Sequence, residues 1–335
     1  MKKTIYTILI VVLVVALGAG VYFDSRFQPA QKITWGLDFS QTRAQELGFD
    51  PMVVYADMLA DLQPQKVRLA AYWEEIEPSP GTYDFTLMDR FLDLAAQNHV
   101  QVILAVGKKL PRWPECHVPD WAKGLSPQDQ NAQIMDMLTQ AVEHFKDSPA
   151  ITTWQVENEP LFPFGDDCPR VDQSQLASEI ALVKSLDSRP VLVTDSGELG
   201  SWIPAASQGA DLFGTTMYRV VHNPKLGFFK YPLPPLFYRI KAGILETFAP
   251  PKGGPIIGVE LQAEPWFDNG IENMPLDEQK AMMNPTVLAD NLAYAKRAGF
   301  GDNYLWGVEW WYWMAEKQGD WGMWTAVKNL LAQNN

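Results

Sequence analysis

Cysteine is nearly absent from this chain of 335 residues: Cys116 and Cys168 are the only two. That is too few for a disulfide-rich scaffold and enough for one bridge, or for two unrelated buried thiols. Histidine is also scarce. His99, His117, His144 and His222 show no metal-ligand spacing, so no metal is expected. Positive charge is in deficit, with 27 Lys+Arg against 40 Asp+Glu and a net charge of −13. A chain that binds phosphates by charge needs the opposite balance, which excludes nucleic acid as a partner. No GxGxxG or GxxxxGK[ST] run follows the first strand-like segment, which counts against a nucleotide cofactor. Neither a Ser-His-Asp elbow nor HExxH is present, and no cofactor is expected.

Tryptophan, in contrast, is abundant. There are 13, and several fall near predicted strand ends, where a flat ring exposes a face for stacking. Most of the others are expected to pack in a core, because hydrophobic content is 47% and charged content only 20%.

The N-terminus indicates a compartment. Lys2 and Lys3 precede an unbroken apolar run from Ile5 to about Phe23, closed by Asp24, Ser25 and Arg26. Its length lies between a signal-peptide core and a full transmembrane span of ~20 residues. Lysines on the short side predict an N-in orientation with everything after Arg26 exported. The reading favours an uncleaved anchor over a cleaved signal, with the protein membrane-anchored outside the cytoplasm or secreted if cleaved. Residues 1–26 are thus assigned to the anchor or signal, 27–32 to a linker and 33–335 to one domain.

Within that domain, strand-like runs alternate with amphipathic helical stretches. The runs are Ile33–Phe39, Lys66–Tyr72, Val100–Val106, Ile151–Val156, Pro190–Thr194, Leu212–Met217, Pro255–Glu260 and Tyr304–Glu309. Helical patterns between them include Phe85–Asn98, Asp129–Phe145, Ser174–Leu186 and Pro285–Ala298, and Trp321–Ala332 supplies the last. Strict alternation with buried strands implies a parallel sheet. Eight repeats favour closure into a (β/α)₈ TIM barrel, behind one N-terminal transmembrane helix or signal segment. The long connections after the third and sixth strands contain Lys108–His117 and Tyr231–Tyr238. Both belong to the C-terminal face of such a barrel and read as substrate walls, with Trp113 and His117 as contacts.

Two motifs carry chemistry. Trp154-Gln155-Val156-Glu157-Asn158-Glu159-Pro160 closes the fourth strand, and Pro160 stops the ladder so that Asn158 and Glu159 reach the mouth. Gly258-Val259-Glu260 closes the seventh. Two carboxyl groups at one barrel mouth can serve as proton donor and as nucleophile or base. Glu264 and Glu309 compete with Glu260 for the second role. Arg68 alternates with Val67 and Leu69, so it faces the barrel interior and needs partners there.

With these motifs the sequence resembles glycoside hydrolase clan A, the retaining TIM-barrel glycosidases that include families 5 and 42. The resemblance rests on Asn158-Glu159, Glu260, Val67-Arg68-Leu69 leading to Trp73-Glu74-Glu75-Ile76-Glu77-Pro78, and Gly81-Thr82-Tyr83-Asp84-Phe85, over roughly residues 33–330. It implies Glu159 as acid/base, Glu260 as nucleophile, Tyr218 as the tyrosine touching the nucleophile, and Asn158 on the sugar 2-hydroxyl. The Trp306–Trp313 run resembles the segment that supplies a sugar platform, assigned to Trp310. One departure is Gly107-Lys108-Lys109, where the family's third strand carries a histidine. The implied activity is hydrolysis of β-linked oligo- or polysaccharides by a monomer. The alternative is a non-catalytic surface barrel that binds glycans. Because Cys116 and Cys168 fall in neighbouring mouth loops, a disulfide between them is expected in an oxidising compartment.

Overall fold

A computed structural model describes residues 2–333 apart from 224, 226, 255, 268 and 269. Eight parallel strands close into a barrel: β1 (Thr34–Asp38), β2 (Lys66–Ala70), β3 (Gln101–Val106), β4 (Ile151–Val156), β5 (Val191–Asp195), β6 (Leu212–Met217), β9 (Ile257–Gln262) and β10 (Asp302–Trp306). Between β6 and β9 an antiparallel hairpin, β7 (Val220–Asn223) and β8 (Gly227–Lys230), stands apart from the barrel. The expected TIM barrel is therefore present, preceded by the helix Lys2–Arg26. Its stretch Ile5–Arg26 is long and apolar enough to cross a membrane.

The alternation of the strands decides what fills the barrel. Val67 and Leu69 pack outward against the helices, while Arg68 points inward with Ile103, Leu192, Ile257, Val259 and Tyr304 on the interior side. Outside, the helices cover the strands through their apolar stripes. Thr86–Gln97 buries Met88, Phe91, Leu92 and Ala95, a spacing that repeats one helical face. The helix Pro285–Ala298 starts as its sequence dictates. Asn284 accepts from the amides of Thr286 and Val287, Pro285 takes the first turn, and Gly299 ends it at φ 86°.

Three expectations shift. The seventh barrel strand runs two residues further than read, to Gln262, and its predicted first residue, Pro255, lies outside the described residues. The eighth strand ends at Trp306, not Glu309. Gly307 at φ 146° breaks the extended backbone, and Val308–Gln318 is a helix that begins with Glu309 and Trp310 in its first turn. The connection after the sixth strand is not all loop: it holds the β7–β8 hairpin and then the helix Pro235–Phe248.

Candidate active site

A β-bulge aims the first carboxylate. Ile257 and Val259 face the interior, so plain alternation would send Glu260 outward. Instead the register with β6 jumps from Thr215↔Gly258 to Thr216↔Glu260, and the register with β10 shifts over the same residues. The extra residue turns Glu260 into the mouth. There its Oε1 accepts from Arg68 Nη1 at 2.9 Å and its Oε2 from the Tyr218 hydroxyl at 3.0 Å.

Arg68 is the hub beneath it. It is buried, and its guanidinium donates to Gln155 Oε1 (2.8 Å), Asp38 Oδ1 (3.1 Å), Glu260 (2.9 Å) and Asn158 Oδ1 (2.8 Å). An unpaired cation here would be costly, and these four partners, from the ends of β1, β4 and β9, remove that cost. Asp38 was not among the residues singled out from sequence. It is Arg68's register partner on β1, and an acidic residue closing an apolar strand was the available signal.

Glu159 reaches the mouth on strained backbone. Glu157 and Glu159 hold φ of 59° and 45°, uncommon for residues with a Cβ. Tertiary contacts hold them there. The Glu157 carboxylate accepts from the Lys108 and Lys109 amides (2.9 and 2.6 Å), and the Glu159 amide donates to Thr194 Oγ1 (2.9 Å). Gly107, at φ 140°, makes room: a Cβ there would fall 2.7 Å from the Glu157 carboxylate. Where the family pattern has histidine, Gly107-Lys108-Lys109 thus serves as the seat of Glu157.

The two carboxyls sit in different surroundings. Burial pushes Glu159 well above the usual carboxylate range, Lys109 pulls it back, and the charges of Glu260, Glu115 and Asp195 raise it further. Glu260 instead has both oxygens engaged, one by the Arg68 guanidinium and one by the Tyr218 hydroxyl. A third carboxyl, Glu115, is pushed up to about 7, chiefly by burial, with Lys109 opposing. Its Oε2 lies 3.6 Å from Lys109 Nζ and 3.5 Å from Asn158 Nδ2. Burial, then the Glu260 charge, also raises the Tyr218 phenol, which keeps it a donor.

The loop after β3 folds over this site as a small hairpin, with Lys109 bridged to Cys116. Cys116 is disulfide-bonded to Cys168, their Cα atoms 5.3 Å apart, which ties the loop to the one after β4. At its tip Arg112 crosses the mouth. Its guanidinium lies 4.1 Å over the Trp306 ring and pairs with Glu264 and Glu309, each at 2.6 Å. A cavity of about 10 Å³ remains beneath it, lined by Asp38, Ser40, Arg68, Tyr72 and Trp306 among others, room for about one water.

The structure thus brings together Glu159, Glu260, Arg68, Asn158 and Tyr218. Trp113 is half exposed on the rim, edge-on to Phe164. His117 is turned away from the mouth: its ring nitrogens bond Glu74 and the Arg112 carbonyl, and its ring lies tilted against Tyr72. Trp310 does not face the mouth either. It is buried and donates to Gln279, because the break at Gly307 places it on a helix. Trp306, at the strand end itself, holds the position expected of Trp310. Glu264 and Glu309, the alternative nucleophiles, are both occupied by Arg112. Among the described residues, no cluster of three His, Cys, Asp or Glu is placed to hold a metal ion.

Comparison with known proteins agrees with the barrel fold. Residues 56–175 match the family model Glyco_hydro_42, described as beta-galactosidase. The chain is 22% identical over 189 residues to beta-galactosidase BgaA of Clostridium cellulovorans, a match covering 50% of this chain and 29% of that protein. It therefore spans about a third of the length of that relative. GH5_18 from Bifidobacterium longum in complex with Manβ1-4GlcNAc has the same fold, with a TM-score of 0.63, 12% identity, and coverage of 90% of this chain and 78% of the other. Endo-glycoceramidase II from Rhodococcus sp., in a cellobiose-like isofagomine complex, superposes with a TM-score of 0.53, 16% identity, and coverage of 82% and 73%. The resemblance to TIM-barrel glycoside hydrolases is borne out, and the family match together with these neighbours supports a glycosidase.

Proposed function

We propose that this chain hydrolyses β-linked glycosides by double displacement, from a barrel held outside the cytoplasm by its N-terminal helix. The observation that carries the reading is the opposed environment of two carboxyls at one barrel mouth. Glu260 accepts from Arg68 and Tyr218, while burial and the charge of Glu260 push Glu159 well above the usual carboxylate range.

In the first step a Glu260 oxygen attacks the anomeric carbon as the glycosidic bond breaks, and Glu159 gives its proton to the leaving oxygen. In the second, Glu159 takes a proton from water, whose oxygen displaces Glu260. Arg68 and Tyr218 hold the attacking carboxylate, and Asn158, fixed by Arg68 and Thr194, is the residue proposed for the sugar 2-hydroxyl. Trp306 is the platform. A sugar stacked there takes the place of the Arg112 guanidinium, so substrate entry displaces that side chain.

The relatives point toward β-galactosides and β-mannosyl or β-glucosyl linkages as first substrates. Purified chain incubated with a panel of labelled β-linked oligosaccharides is expected to release product of retained anomeric configuration, followed by proton NMR in fresh solution. Inverted product would refute double displacement. Binding without turnover across the panel would favour a non-catalytic glycan-binding barrel.

A further inference from the structure

The N-terminal helix is fastened to one side of the barrel. A Cβ on Gly20 would sit 3.5 Å from Ile240 Cδ1, and one on Gly243 would fall 1.7 Å from the Phe23 carbonyl oxygen. Asp24 pairs with Arg239 at 2.8 Å, Phe23 meets the Phe248 ring, and the Arg26 charge acts on Glu246. Residues 20 and 23 thus meet 240 and 243 in the same order, and Phe23 reaches on to Phe248, so the two helices cross with the same polarity. Pro235–Phe248 follows β6 and its hairpin, and therefore descends from the barrel mouth toward its base. Traced backward from Gly20, the N-terminal helix leads toward the mouth end. The apolar stretch from Ile5 to Leu17 makes no cover with the barrel, its large side chains all more than half exposed.

Two further observations fall on the same side. The loops and turns after β5 and β6 expose Leu199, Phe228, Phe229 and Leu236, between 37% and 61%, although a soluble rim has no need of bare leucine and phenylalanine together. The charge also changes sign there. Between Asp211 and Glu246 the chain has no acidic residue and five basic ones, in a protein of net charge −13. Arg239 pairs with Asp24, Arg219 lies over Tyr294, and Lys230 is exposed next in sequence to Phe229. Aromatic and aliphatic side chains flanked by lysine suit the interface of an anionic bilayer.

We infer that the rim formed after β5 and β6 lies against the bilayer that the N-terminal helix enters, so that the mouth opens toward the membrane and takes the headgroup of a glycolipid in that bilayer. The seating rests on the helix packing and the rim. The choice of substrate rests in addition on the proposed glycosidase activity.

The test uses the full chain in vesicles of mixed phosphatidylcholine and phosphatidylglycerol. A fluorophore is placed at Leu199→Cys, Phe229→Cys or, on the far side of the barrel, Val53→Cys, with the native disulfide intact. Nitroxide lipids labelled at the headgroup are expected to quench positions 199 and 229 several-fold more than 53. Equal quenching at all three overturns the seating. In parallel, a lipid bearing a β-linked headgroup is compared with the same headgroup free in solution. Preferential turnover of the lipid form, lost in Phe229→Ser with Leu199→Ser while turnover of the free sugar persists, is the expected result. Equal turnover of both forms, with the quenching pattern intact, overturns the glycolipid assignment alone. Turnover of neither refutes the glycosidase reading and the assignment with it, and leaves the seating decided by the quenching.

Discussion

At the residue scale, the proposed double displacement assigns Glu159 the proton-donor role and Glu260 the role of nucleophile. Glu260→Gln is expected to abolish turnover and leave sugar binding, because the amide keeps the shape but cannot form the glycosyl ester. Glu159→Gln should slow substrates with poor leaving groups far more than activated aryl glycosides, which need little protonation. Equal losses on both would contradict the acid/base role, and steady-state rates on the two substrate types decide it. Glu115 gives a pH test. Its charge raises Glu159, which must carry a proton to act as acid. Activity is therefore lost as pH rises through the raised Glu159 value. Glu115→Gln removes a negative neighbour and leaves Lys109 less opposed, so Glu159 deprotonates earlier. The alkaline limb of kcat/KM is expected to move to lower pH, and a limb that stays or moves upward would dismiss Glu115 as a neighbour that matters. The positions of Glu159, Glu260 and Arg68 at the mouth were legible in the sequence because each ends or alternates in a recognisable strand. Asp38, Glu115 and Glu157 were not, since their roles depend on register and loop contacts that join distant positions.

At the scale of elements, the loop after β3 is held by charge as well as by its disulfide. Arg112 bridges Glu264 and Glu309, which come from the loop after β9 and from the helix after β10. Arg112→Met would leave two buried carboxylates facing each other. Loss of one partner of such a cluster typically destabilises by ~3–5 kcal/mol. Denaturant unfolding should show a loss of that order, and adding Glu264→Gln with Glu309→Gln should recover most of it. A loss that persists in the triple variant would mean that Arg112 acts by packing on Trp306 alone. None of this clamp was visible beforehand, because its three members lie about 150 and 45 residues apart in the chain. Barrel strands fared better: buried on both faces, they read as apolar runs, and all eight were found. The same rule failed at Trp306–Trp313, where aromatic residues continue past the strand end on both sides of Glu309 and the backbone at Gly307 marks the change from strand to helix. The β7–β8 hairpin escaped because its glycine, proline and lysine interrupt any period-two pattern.

At the scale of the whole molecule, the question is whether the N-terminal helix is a tether or a rigid strut. A flexible tether would let the mouth face any direction, whereas a strut fixes it. The structure places the joint at Gly243, where the Phe23 backbone occupies the space of a side chain. Phe27 then packs edge-on to Phe300, and the Ala30 amide donates to the Gly299 carbonyl, so the chain stays pinned until β1 begins. Glycine inside a helix costs roughly 1 kcal/mol relative to alanine, so Gly243→Ala on its own should strengthen Pro235–Phe248. In the full chain the added methyl instead meets the Phe23 carbonyl, and one helix must move. The N-terminal helix has fewer contacts and is expected to give way, leaving the barrel folded with an unchanged or slightly higher Tm. Trypsin should then cut after Arg26 faster than in the parent, and amide exchange should rise over residues 20–30. If neither changes while Tm rises, the helix was never seated on Gly243, and the barrel hangs from a tether that leaves the direction of its mouth unfixed.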